Sequence, residues 1–165
     1  MKIVRHIPLE APPDKALQVI GAEPFNMGRE RRRPEVVETS YHVVEQSAGR
    51  LVFEIRTTEY RRTMTGGIDR GATCKSVTRS VVSDKDGTLS WIYEGGAAPV
   101  RMKMSGVYRV APGPAGSDVT HEVTIEVKVP LIGEKIARLA GREFEKLTEG
   151  DEKLLQQLAR EAAAG

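Results

Sequence analysis

Residues 119–158 read VTHEVTIEVKVPLIGEKIARLAGREFEKLTEGDEKLLQQL. The first part alternates: Val119, His121, Val123, Ile125, Val127 and Val129 against Thr120, Glu122, Thr124, Glu126 and Lys128. Period-2 patterning of this kind marks a half-buried strand. At Pro130 the period changes. Ile132, Ile136, Leu139, Ala140, Phe144, Leu147, Leu154 and Leu158 recur at three- and four-residue steps, one apolar face of a long helix over 131–162. Unbroken, that helix would be about 45 Å long at about 1.5 Å per residue. Gly150-Asp151 is where it would kink or end.

Working back from this step, the chain between 36 and 129 is a run of strands. Val37, Thr39, Tyr41 and Val43 alternate with Glu38, Ser40 and His42. After a turn at Ala48-Gly49, Leu51, Phe53, Ile55 and Thr57 alternate with Glu54, Arg56 and Thr58, which predicts a hairpin. Thr65-Gly66-Gly67 opens a loop to about Gly71, and Thr73–Ser83 is β-rich with Val77 and Val81 on one side. Asp84-Lys85-Asp86-Gly87 is a tight-turn signal. Leu89, Trp91 and Tyr93 follow on one face, and Gly95-Gly96-Ala97-Ala98-Pro99 reads as a flexible connection. Met102, Met104, Tyr108 and Val110 then oppose Arg101, Lys103, Ser105 and Arg109, before the loop Pro112–Gly116.

The N-terminal part is a strand over 2–9, with Ile3 and Ile7 on one face and Val4 on the other, then short helices over 12–28. Pro12-Pro13 suit a first helical turn. Strands in series without intervening helices imply an antiparallel sheet. A curved sheet of seven strands needs a cover for its apolar face, and the terminal helix is long enough to supply it.

The 165 residues suit one domain. Lys and Arg number 25 against 23 Asp and Glu, for a net charge of +2, and aromatics are 5%. Neither figure suits a nucleic-acid binder, which needs a basic excess or stacking platforms. Cys74 is the single cysteine, so no intrachain disulfide forms. No apolar h-region lies between Lys2, Arg5 and Pro8, and no long apolar run occurs. These features predict a cytoplasmic chain.

Element order and the string Val129-Pro130-Leu131-Ile132-Gly133-Glu134-Lys135-Ile136 resemble the START-like (SRPBCC, helix-grip) superfamily, and within it a bacterial family of uncharacterised function. The likeness covers nearly the whole chain, 1–165. It implies an α+β helix-grip fold, with the curved seven-stranded antiparallel sheet wrapped around the last helix over a deep cavity. Members bind lipids, sterols or polyketides. Some are cyclases or aromatases, and others are co-chaperone-like.

Read from the residues, the inward face carries Phe53, Ile55, Trp91, Tyr93, Met102, Met104, Tyr108, His121, Val123 and Ile125, facing Ile136 and Ala140 of the helix. Two methionines at i, i+2 suit either an adaptable pocket wall or plain core filling. Gly133 and Gly141 leave room for a ligand at the helix backbone or for close helix-to-sheet packing. His121 would orient a polar ligand group or act as an acid–base residue, or else is a half-buried ring hydrogen-bonded to a neighbouring strand or Tyr. Arg79 shares the Val77/Val81 register and, if inward, would hold an anionic headgroup. Arg29, Arg31, Arg32 and Arg33 read as a solvated run or as a transient membrane-surface contact. No metal-ligand spacing, phosphate loop or nucleophile elbow occurs, so neither metal nor cofactor is expected. Leu154, Leu155 and Leu158 offer pairing with a second copy, for a monomer or weak dimer.

The expected function is binding of a hydrophobic or amphipathic, lipid-like molecule between sheet and helix. A polyketide cyclase or aromatase would need His121 and a Tyr or Arg converging in one pocket. A co-chaperone-type interaction module would show a filled core and an exposed apolar patch.

Overall fold

A computed structural model of the chain describes residues 1–63, 65–95 and 102–165. Most of the connection read at 95–99, and Arg101, lie outside them. The elements run β1 (Lys2–Leu9), α1 (Pro13–Gly21), α2 (Glu23–Arg31), β2 (Val36–Ser47), β3 (Arg50–Arg62), β4 (Ile68–Ser83), β5 (Thr88–Gly95), β6 (Met102–Gly113), β7 (Gly116–Val127) and α3 (Gly133–Ala164). All strands pair antiparallel in one sheet ordered β1-β7-β6-β5-β4-β3-β2. The meander follows from short turns, and β1 closes onto β7 at the opposite edge from β2. This is the α+β helix-grip architecture, with α3 against the curved sheet.

Helix α3 passes through Gly150 without a break and spans 32 residues, about 48 Å at about 1.5 Å per residue. Its two sides differ. Ala137, Gly141, Thr148, Leu155 and Ala159 are buried, whereas Ile136, Leu139, Ala140, Phe144 and Leu147 are only half-buried. The glycines belong to the closely packed side. A Cβ on Gly141 would strike Met1 and reach contact with Ile3, and one on Gly133 would strike the Val127 carbonyl. They permit close helix-to-sheet approach rather than ligand access. Leu155 is buried in the core of its own chain, and Leu154 and Leu158 pack against that core.

The register of β1 is resolved by burial: Ile3, Ile7 and Leu9 point in and Val4 points out. The register read for β4 is reversed. Ser76, Thr78, Ser80 and Val82 face inward, while Val77 and Arg79 are exposed. Arg79 stands opposite Glu54 of β3 and Ile92 of β5, both on the outer face, and its guanidinium lies 3.5 Å from Glu54. Directly paired residues share a face of the sheet, so Arg79 cannot reach the interior. The loop read over Thr65–Gly71 is also shorter, because β4 already begins at Ile68.

The step from β7 to α3 places Leu131 at φ 69° with its side chain fully exposed. No described helix is long and apolar enough to cross a membrane.

Candidate functional site

Phe53, Ile55 and Val123 are buried in the core and are not part of the cavity lining, with Phe53 stacked on Tyr41 at 4.7 Å and Tyr41 donating to the Gly21 carbonyl of α1. Between the sheet and α3 lies a cavity of about 540 Å³. Trp91, Tyr93, Met102 and Met104 line it from β5 and β6, and Ile136, Leu139, Ala140, Phe144 and Leu147 from α3. The large side chains of the half-buried helix face therefore border this space, with Phe144 also packed against the core. Gly106 sits opposite Trp91 in the ladder, and a Cβ there would collide with the indole. Its absence lets the ring lie flat on β6. The exposed part of the lining is Arg61, Arg62 and Thr63, at the β3–β4 hairpin.

Tyr108 and His121 are buried beside the cavity but are not part of its lining. Their rings stack at 3.7 Å, 6° from parallel. The Trp91 indole N–H donates to His121 Nε2 at 3.1 Å. Burial, aided by the Arg29 charge, pushes the His121 pKa from its ordinary 6.5 down to about 3. The ring is therefore neutral near pH 7, and its Nε2 lone pair is already used. It is a hydrogen-bonded structural histidine.

One end of the cavity is charged. Arg33, at the end of α2, donates to Glu30 at 2.9 Å, to Glu35 at 3.0 Å and to Glu59 at 3.0 Å. Arg62 donates to the second Glu35 oxygen at 3.0 Å, and the Tyr93 hydroxyl donates to Glu59 at 2.5 Å. All three carboxylates are buried. Burial raises the Glu59 pKa against the opposing pull of Arg33. Burial also pushes the Glu35 carboxyl up, but Arg33 and Arg62 outweigh it and hold the pKa below the ordinary range. The Tyr93 hydroxyl is pushed up by burial and by Glu59. A signal for Glu59 was present in β3, since carrying Phe53, Ile55, Thr57 two residues further puts it on the inward face. Nothing local signals Glu35 or Glu30.

The arginine run does not form a basic corner. Arg33 is held by the carboxylates, Arg32 reaches across Gly150 to Asp151 at 3.0 Å, and Arg29 lines the cavity. Arg31 points outward. Helix α2 continues through Arg31, and Arg29 on it and Arg33 just past its end are turned inward, whereas Arg32 stays exposed. Among the described residues no metal-binding cluster occurs.

A family model described as a protein of unknown function (DUF2505) matches residues 6–158. The chain belongs to this family. No curated protein sequence matches it. Among solved structures, TTHA0849 from Thermus thermophilus is 18% identical, with a TM-score of 0.62 over 99% of this chain and 98% of that one. A START superfamily protein from Mycobacterium smegmatis is 16% identical, TM-score 0.61, over 95% and 98%. The ZhuI aromatase/cyclase from Streptomyces sp. R1128 is 13% identical, TM-score 0.61, over 97% and 93%. At these identities the likeness establishes the fold, that of the START-like superfamily.

Proposed function

We propose that this DUF2505 chain binds a hydrophobic or amphipathic, lipid-like small molecule in the cavity between the sheet and α3, as a carrier or sensor. The observation that carries the reading is the cavity itself. Its volume of about 540 Å³ falls within the span of about 300–1,000 Å³ typical of small-molecule sites. Apolar side chains make up most of the exposed wall and a set of charged groups joins them, the usual division between affinity and orientation. Trp91, Tyr93, Met102, Met104, Ile136 and Ala140 would form the apolar contact. Binding is favoured over cyclase-type catalysis because His121, the expected acid–base residue, is neutral, satisfied and outside the lining. An unfilled interior also speaks against a co-chaperone-type module with a closed core.

Native mass spectrometry of the purified protein, before and after incubation with mixed lipids, tests this. A discrete adduct of a few hundred daltons is expected, lost in Met104→Trp while the circular dichroism spectrum is kept. A mass that stays that of the bare chain under both conditions would overturn the proposal.

A further inference from the structure

Most charged residues around the cavity pair off; the two that lack a carboxylate ion partner among the described residues are Arg61, exposed at the rim, and Arg29, which lies deeper. Arg33 meets Glu30, Glu35 and Glu59; Arg62 meets Glu35 and stands 3.7 Å from Glu143; Arg32 meets Asp151. Arg29 has no carboxylate ion partner among the described residues. Its Nη1 donates to the Tyr108 hydroxyl at 2.9 Å, and its guanidinium carbon lies 5.3 Å from the centre of the Phe25 ring. Both partners are neutral. The guanidinium is thus fixed in place by a buried tyrosine and phenylalanine, and it borders an apolar cavity.

We infer that the ligand carries a single-charged anionic head, a carboxylate, and that Arg29 receives it. This rests on the cavity-binding reading above and names the ligand class. An arginine has five N–H donors in a fork that fits a carboxylate through two parallel bonds. Only one nitrogen of Arg29 is engaged among the described residues, which leaves donors for such a head. The surroundings limit the head's charge. Asp151 and Glu30 face the same guanidinium and act on it electrostatically. His121 is neutral and Tyr108 stays protonated, its pKa raised by burial. Asp151 and Glu30 are paired with Arg32 and Arg33, so Arg29 offers one positive charge to a singly charged head, and the two nearby carboxylates disfavour a second negative charge on it. The tail would run along Trp91, Met104, Phe144 and Leu147, which line the same cavity.

The test is a ligand series of one chain length, dodecanoate, dodecanol and dodecylamine, titrated into the intact chain by calorimetry at pH 7.5. Dodecanoate is expected to bind about tenfold or more tighter than dodecanol, in line with a charge-assisted pair. Arg29→Gln should bring dodecanoate down to the level of dodecanol and leave dodecanol unchanged. Asp151→Asn keeps Arg29 and removes an opposing charge, so it should tighten dodecanoate alone. Equal binding of acid and alcohol, or a preference for the amine, would overturn the carboxylate assignment while leaving the cavity reading intact. A preference for the acid that Asp151→Asn leaves unchanged, or that survives Arg29→Gln, would overturn the role of Arg29. No binding by any of the three amphiphiles would remove both readings together.

Discussion

The two sides of α3 pack differently. On its closely packed side the helix presents Ala137, Gly141, Thr148, Leu155 and Ala159, and these are buried. Toward the cavity it presents Ile136, Leu139, Phe144 and Leu147, and these keep exposed surface. Small residues let the helix backbone approach the sheet on one side. Large apolar residues stand on the other side without enough protein to cover them. A chain selected only for stability would fill that space, since each uncovered apolar contact forgoes stabilisation of roughly 25 cal/mol per Å². The difference teaches that the packed side holds the fold together and that the open side is left for something else.

Four measurements would break or sharpen this contrast. The largest effect belongs to the charged end of the open side. Arg33→Met would leave Glu30, Glu35 and Glu59 buried with far less compensation, and removing one partner of a buried ion pair costs about 3–5 kcal/mol. Urea denaturation should show a loss of that order, and a loss below about 1 kcal/mol would mean the cluster is solvated like a surface ion pair. Next comes a matched pair on the helix. Gly141→Leu must push against Met1 and Ile3 and should cost about 1–3 kcal/mol, whereas Ala140→Leu, next in sequence but facing the cavity, should cost less than about 1 kcal/mol. Equal costs would erase the distinction between the sides.

The third measurement concerns the buried ring beside the cavity. His121 in the folded chain stays neutral until about pH 3, while in the unfolded chain it takes up a proton near 6.5. Below pH 6.5 the unfolded state therefore binds more protons, so this histidine's contribution is fully present above pH 6.5. It is lost between there and pH 3, at up to about 1.4 kcal/mol per pH unit. His121→Gln should flatten the fall in stability across that window, and an unchanged slope would place the ring in contact with water. The smallest effect is at the entrance to α3, on neither side. Leu131 holds a left-handed backbone conformation with its side chain exposed, so Leu131→Gly should raise stability by about 1 kcal/mol in thermal unfolding. A decrease would show that the leucine side chain has a contact that matters.

The strand-to-helix step was legible because both periods are long and Pro130 separates them. The strands of the meander were legible for the same reason, with β4 the instructive failure. Its inner face is Ser76, Thr78, Ser80 and Val82, so the more apolar-looking Val77 and Val81 drew the register to the wrong side. Inner polar side chains are tolerated there because Thr78 borders the cavity and Ser76 lies beside Tyr93 at the charged end. The site was legible only on its apolar walls. Trp91, Tyr93, Met102 and Met104 follow from alternation. The carboxylate cluster does not, because Glu30, Glu35 and Glu59 come from a helix, a connection and a strand that only the folded chain brings to Arg33. Arg29 was hidden in the same way, inside a run of arginines whose composition suggested solvent.

Trp91 is the only tryptophan of the chain, and it lines the cavity, so its emission reports what occupies that space. The most direct measurement is its fluorescence during titration with dodecanoate, in the wild-type chain and in Ala140→Phe, which places a ring in the cavity. The account predicts a saturable shift of the emission in the wild type and none in a folded Ala140→Phe. Saturable binding that the added ring leaves unchanged would contradict it, as would a Trp91 spectrum that no apolar molecule alters.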